Sequence, residues 1–435
     1  MTDSIWGTRA AGLLDRQLLS RATDAYAALV AASLPWSTTA TSILIVPWLL
    51  TLLATLDVAA LRREVMTAAG GTPLILVGLA VLGTLWADLA WGQRLWGIEG
   101  YLKLLLIPFL FAQFRRSQNA HWPVLAFLAA ALVLCAYSWF LVLMPGLTWR
   151  GKLLEVPGIP VKDHITQSGA FALCIFGGLG YAVHAWRNGQ RALALALVIA
   201  AAAFVSNIAY VETGRTTLVV VAVMVPIFGF REFGWRGMLA AATTACMLAA
   251  TLWVSSPYLR DRVTIVAQEV ERYRTLNEPT STGARLDFWR NSAESIARAP
   301  IIGHGTGSVA QQLRSVISPE TGLPTIGTVN PHNEIMMVAI QLGLMGTISL
   351  FAMWISHLLL FRGAGPVAWL GLVVVIENMV NCLANSHLTD FTQGWIYVFG
   401  VGTAGGWVLR QRAPSVDGTP PDAPPAGSRV ALREN

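Results

Sequence analysis

The chain has 435 residues, 54% of them hydrophobic and only 12% charged, where an ordinary soluble domain carries about a quarter charged residues. That balance excludes a soluble globular protein and makes the bilayer the natural solvent. The net charge of +6 does not imply nucleic acid, because membrane proteins gather arginine at their cytoplasmic ends for topological reasons; no nucleic-acid partner is expected.

The amino-terminal stretch carries Arg9, Asp15, Arg16 and Arg21 and lacks a compact apolar core followed by a small-residue cleavage site, so no removed signal peptide is expected. Apolar stretches then recur, each long enough to cross about 30 Å of hydrocarbon as a helix. They predict twelve spans at roughly 22–37, 39–57, 72–88, 95–114, 122–145, 164–186, 192–211, 215–231, 237–256, 343–361, 366–385 and 395–410. The alternation of a closed barrel is absent. Cys135, Cys174, Cys246 and Cys382 all fall inside apolar stretches, where a thiol behaves as a small hydrophobe, and suggest neither a disulfide framework nor a metal site.

With the amino terminus inside, every short inside loop is basic: Arg62 and Arg63, Arg115 and Arg116, Arg187 and Arg191, Arg231 and Arg236, then Arg362. The expected organisation is nine spans over 1–256, an outer catalytic loop over 257–342 and three spans over 343–410. A Pro-, Gly- and Ala-rich tail, 411–435, reads as disordered and cytoplasmic. No fixed-period repeat and no matched broken helices support an inverted-repeat transporter. Glu377 is the clearest ionisable residue deep in a span, and either pairs within the bundle or serves function.

Arginines left on the outer side are unexplained by topology: Arg94, Arg150, Arg215, Arg260, Arg262, Arg272, Arg274, Arg285, Arg290, Arg298 and Arg314. An anionic ligand is their natural counterpart. Arg215 lies in a tight outer hairpin, Glu212-Thr213-Gly214-Arg215, where it either pairs with Glu212 or snorkels, or acts on a ligand. The segment Arg150–Thr166, with Lys152, Glu155, Lys162, Asp163 and His164, is another polar outer segment, which headgroup contact explains nearly as well as substrate binding.

Between Pro257 and Pro331 the chain is polar for about 75 residues, too long for a passive connection. Val263, Val266, Val270 and Tyr273 predict an amphipathic helix over 258–277. A second, 283–299, sets Leu286, Trp289, Ala293 and Ile296 on one stripe, with Arg285 near its start and Pro300 ending it. Gly303, Gly305 and Gly307 then alternate, freeing the backbone to approach a ligand or another helix, or simply making a turn. No strand precedes them and no Walker lysine follows, which rejects a nucleotide site. Asn330 is suited to cap the next helix and Pro331 to its first position. That would place His332 in the first turn, where the helix dipole keeps the imidazole neutral and able to accept a proton. No Asp-x-Asp pair offers a divalent clamp, so chemistry without metal or cofactor is expected.

Four motifs, Thr213-Gly-Arg215, Arg285-Leu-Asp-Phe-Trp289, Pro300-x-x-Gly303-x-Gly305-x-Gly307 and His332-Asn333-Glu334 followed by Gly343 and Gly346, together with the helix count and loop placement, resemble the O-antigen ligase and polymerase superfamily. The resemblance implies an all-α, GT-C-like membrane glycosyltransferase of the bacterial inner membrane, with a long helical periplasmic loop and both termini cytoplasmic. It implies transfer of a glycan from undecaprenyl diphosphate, for the ligase onto the lipid A core of lipopolysaccharide. Arg215, Arg285 and Arg290 would then bind the diphosphate, Arg215 and His332 would serve catalysis, and Gly303, Gly305, Gly307 and Asn333 would serve loop structure or substrate approach. A polymerase, a protein O-oligosaccharyltransferase or a lipid-linked glycan transporter are the competing readings.

Overall fold

The computed structural model describes residues 3–144, 158–211, 214–276, 280–316 and 330–413. Arg150, Lys152 and Glu155, the hairpin residues Glu212 and Thr213, and the tail beyond 413 lie outside the described residues. Among those described the chain forms helices α1 (Asp3–Ser33), α2 (Thr38–Ala54), α3 (Val58–Val65), α4 (Ala68–Gly83), α5 (Trp91–Leu102), α6 (Leu106–Arg116), α7 (His121–Leu143) and α8 (His164–Arg187). These are followed by α9 (Arg191–Tyr210), α10 (Arg215–Ser255), α11 (Pro257–Leu276), α12 (Ser281–Arg298), α13 (Val309–Val316), α14 (Glu334–Leu360), α15 (Pro366–Asn381) and α16 (Phe391–Gln411).

Every predicted span falls on a helix. Among the described residues six helical stretches are long and apolar enough to cross a membrane, or seven if α2 and α3, bent by 108°, count as one span; α4 and α15 are shorter apolar helices. The chain is therefore a multi-pass membrane protein. The predicted spans 215–231 and 237–256 form the two arms of α10, whose backbone leaves the helix at Gly234 with φ 71° and ψ −165°. The arms fold back on one another, bringing Gly229 against Gly237 and Ala241.

In hydrocarbon, helices associate through close packing and interhelical hydrogen bonds rather than by excluding water. Trp48, Trp354, Trp369 and Phe111 are fully buried. Trp48 donates its indole N–H to Gln113 at 3.2 Å and Trp369 to the carbonyl of Phe176 at 2.7 Å. Glu377 accepts from Asn381 Nδ2 at 2.6 Å, the pairing within the bundle that the sequence left open.

Two sets of loop contacts separate the ends of the bundle. Arg115 pairs with Glu64, Arg116 with Asp57 and Arg187 with Glu232, while Arg410 donates to the Ser117 carbonyl. All these residues lie in or beside loops predicted to be inside. At the other end Lys103 donates to the carbonyl of Thr389 at 3.0 Å, and Lys162 to Thr392 Oγ1 at 2.9 Å and to the carbonyl of Leu34. Lys162 thus binds the bundle itself rather than serving a headgroup, and burial pulls its pKa down to about 8.

The glycine run is a clasp. Helix α14 breaks at Gly343 (φ 59°, ψ −151°), and the backbone groups released there bond to the run instead. Leu344 and Met345 donate to the carbonyls of Pro300 and Ile301 at 2.8 and 3.3 Å, while His304 and Gly305 donate to those of Ile340 and Gln341, both at 2.9 Å. Gly303 has φ 67°, and a Cβ there would lie 2.4 Å from the Gln341 carbonyl carbon. Gly305 and Gly307 press equally close to Ala87 and to the Gln93 carbonyl. These glycines thus bring the run against α14, α5 and the loop between α4 and α5. The predicted span start at 343 coincides with this break; the helix itself begins nine residues earlier, at Glu334.

α12 departs from its predicted stripe: Ala293 is exposed and Leu286 is 37% exposed, whereas Asn291, Ser292 and Ser295 are buried. Short side chains let α12 pack closely on α14, with Phe288 and Ile296 reaching Val309, Leu313 and Ile340. The helix α13 that carries Val309 and Leu313 was not foreseen.

Gly303→Ala should lower the thermal unfolding midpoint in detergent, followed by tryptophan fluorescence, by the equivalent of about 2 kcal/mol, since both the left-handed backbone and the space are denied to a side chain. Gly178→Ala, where nothing lies within 4 Å of the added Cβ, should leave it unchanged. Equal midpoints for the two variants would refute the clasp.

Candidate functional site

Arg215 is the first residue of α10, following Gly214, whose N–H donates to Ser168 Oγ at 3.2 Å. A cation in the first turn opposes the helix dipole and needs a counter-charge. Glu269 of α11 supplies it as a two-pronged fork: Nη1 to Oε2 at 3.0 Å and Nη2 to Oε1 at 3.1 Å. Nη1 also donates to Thr282 Oγ1 at 3.1 Å, and Thr282 donates its backbone N–H to Glu269 Oε2 at 3.1 Å and its hydroxyl to the same oxygen. The Arg215 hydrogen bond foremost holds the Glu269 carboxyl below its usual range. With side chains 27% and 20% exposed, the pair contributes on the order of 1 kcal/mol. The partner weighed from sequence, Glu212, lies outside the described residues.

Thr280 caps α12, accepting from the Gly283 N–H at 3.0 Å, which sets Arg285 in the first turns. Arg285 is half-buried; burial first, and then the charge of Arg215, lower its pKa, with Glu269 opposing. Among the described residues no ion pair or hydrogen bond engages its guanidinium. The same helix turns Trp289 onto the loop before α14, Nε1 donating to the Pro331 carbonyl at 3.0 Å, and sets the Phe288 ring 6.3 Å from that of His332. Arg290 stands apart: it is 68% exposed and meets Asp287 at 3.7 Å.

His332 does not lie in the first helical turn. Asn333 caps α14, its Oδ1 accepting from the Met336 N–H at 3.0 Å and its Nδ2 donating to the Leu383 carbonyl at 2.9 Å. Either asparagine suits a cap, and the chain uses the second. His332, one residue earlier, is left-handed with φ 48°, a conformation that costs a non-glycine residue about 1–3 kcal/mol and persists only where surroundings impose it. They do so from two sides. Asn330 Oδ1 accepts from the His332 N–H at 2.8 Å and from Ser386 Oγ at 2.9 Å. Glu334, fully buried, accepts from the N–H groups of Leu388 and Thr389 at 3.0 and 3.2 Å. The imidazole is biased to its neutral form, though by burial and then by the nearby Arg285 charge rather than by the dipole.

Three segments distant in sequence thus converge: Arg215 with Glu269 and Thr282, Arg285, and His332. The arrangement presents two guanidiniums, one of them without a partner among the described residues, beside a neutral base, which suits an anion next to a group that loses a proton. A groove of about 720 Å³ opens beside Arg215, lined by Leu218, Val219, Val263, Val266 and Val270, so the predicted apolar stripe of α11 faces it. Two further outer arginines serve helix ends: Arg94 donates to the carbonyls of Thr84 and Leu89, and Arg260 to those of Trp253 and Val254. Glu269, Thr282 and Ser386 escaped the sequence reading because their partners lie 54, 67 and 56 positions away.

Residues 200–351 match the family model described as O-antigen ligase. A protein of Haemophilus influenzae (strain Rd) described as uncharacterized is 26% identical over 145 residues, covering 32% of this chain and 36% of that protein. The match thus spans about a third of the relative's own length. All three converging segments fall inside the family match.

Because His332 is held below its ordinary pKa of 6.5, the unfolded chain binds more protons there, and its contribution to stability falls as pH drops through 6.5. Arg285→Ala removes one of the two causes. The pH at which His332 becomes reactive toward diethyl pyrocarbonate, read by mass spectrometry, should therefore rise toward 6.5 in that variant; an unchanged or lower midpoint would contradict the coupling.

Proposed function

We propose that the protein is an O-antigen ligase of the bacterial inner membrane, with twelve spans in a GT-C-like arrangement, both termini cytoplasmic and the Arg215–His332 cluster facing the periplasm. It transfers a polysaccharide from undecaprenyl diphosphate to the lipid A core, with inversion at the anomeric carbon and without a metal. The observation that best supports this reading is the convergence of Arg215, Arg285 and a neutral His332 within the family match, beside an apolar groove suited to a polyprenyl chain.

In this mechanism the acceptor hydroxyl attacks the anomeric carbon from the face opposite the diphosphate. The bond from carbon to the leaving oxygen breaks and that oxygen keeps the electron pair. Charge developing on the diphosphate is met by Arg215 and Arg285, whose planar forks each offer a phosphate two parallel hydrogen bonds. The hydroxyl proton passes to the His332 imidazole, which Arg285 helps keep free to receive it. Arg290, exposed on the same helix, assists the diphosphate during approach. The glycines of the clasp act indirectly, by fixing α12 and α14 relative to one another.

The test is expression in a Gram-negative strain that lacks its own ligase but still makes the polymer and carries a matching core. A restored lipopolysaccharide ladder is expected, lost by about a hundredfold or more in Arg215→Ala and His332→Ala at equal membrane abundance and kept in Arg298→Ala. Full activity in either of the first two would remove that residue from its role. A wild type that makes no ladder would redirect the assignment to a polymerase or a protein glycosyltransferase.

A further inference from the structure

The carboxylate of Glu269 occupies the Arg215 fork in the manner a phosphate would. Both guanidinium prongs and the backbone and hydroxyl donors of Thr282 converge on it, and oxygens of a phosphate could accept the same bonds. Charge points the same way. Two guanidiniums and one carboxylate leave the cluster one positive charge in excess; without the carboxylate it matches a diphosphate bearing a charge on each phosphate. Without either partner, two cations would stand unpaired beside a helix amino terminus, which is the unfavourable arrangement.

We infer that Glu269 is the internal occupant of the donor-phosphate subsite, that Thr282 belongs to that subsite, and that one donor phosphate displaces Glu269 from the Arg215 fork. The inference rests on the reading of Arg215 as a diphosphate ligand. The fold permits the exchange. Among the described side chains of α11 only Leu259 is buried, and the helix stands off α10 across the 720 Å³ groove. Both members of the ion pair are partly exposed, so water and ligand reach it. Arg272, three residues along the same helix, offers the displaced carboxylate a new partner. Empty, the subsite is held shut by its own carboxylate; loaded, it gains the charge balance that chemistry at the anomeric carbon requires.

An internal competitor lowers apparent affinity, so removing it tightens binding. Inorganic pyrophosphate is titrated calorimetrically into the full chain in lipid nanodiscs. Glu269→Gln should bind it about tenfold more tightly than wild type, whereas Arg215→Ala should lose binding. A merely structural role for Glu269 would give the opposite sign. Equal or weaker binding by Glu269→Gln, with Arg215→Ala still defective, overturns the internal-occupant inference alone. Binding by Arg215→Ala equal to wild type, or no binding by wild type and Glu269→Gln alike, overturns the reading of Arg215 and the inference with it. Should Glu269→Gln fail to fold, Glu269→Asp, whose shorter carboxylate grips the fork less well, must show a gain in the same direction; unchanged affinity in that variant is equally fatal.

Discussion

The break in α14 at Gly343 is the constraint on which the site depends. A helix interrupted inside a bilayer leaves backbone groups without partners, and such groups are tolerated only where protein satisfies them. Here the carbonyls of Ile340 and Gln341 and the N–H groups of Leu344 and Met345 all bond to residues 300–305. The loop is thereby locked to α14 by four backbone bonds, to which Thr306 adds bonds to the carbonyls of Ala80 and Gly83 and Gln341 one from the Gly307 N–H. Those bonds fix the end of α12 against the first turns of α14, and of the candidate residues α12 carries Arg285 while the loop before α14 carries His332.

From that anchor the electrostatics follow. Packing α12 on α14 half-buries Arg285 beside His332, and burial with a neighbouring cation disfavours protonation of the imidazole. The left-handed backbone of His332 is imposed by Asn330, Ser386 and Trp289, which ties the base to the α15–α16 loop as well as to α12. Arg215 reaches the same region from the start of α10, and Glu269 with Thr282 is what holds α11 and α12 to it. The candidate site is therefore assembled where the loop meets the membrane helices, and one carboxylate, partly exposed, offsets part of its positive charge.

Much of this architecture was legible in the chain. Hydropathy alone located helices at every predicted span, including the hairpin around Gly234, and spacing located α11 and α12 to within a few residues. The candidate residues were also visible, because an arginine at the tip of an outer hairpin and a histidine beside a helix start are chemically conspicuous. The errors were local. Two asparagines three apart both suit a cap, and only the bonds from Met336 and to Leu383 decide for Asn333. The buried face of α12 is polar and small because it meets another helix closely, a preference that apolar periodicity does not register.

Sequence by itself determined the membrane class, the helix positions and the identity of the candidate residues, because these follow from composition and short-range spacing. Tertiary structure alone decided what each residue does there. It paired Arg215 with a carboxylate 54 positions away, left Arg285 without a partner among the described residues, turned His332 out of the helix and made the glycines a clasp on α14. The physical reason is that hydrophobicity and capping act over one or two turns of chain. Charge balance and backbone satisfaction are settled between segments that meet only after folding.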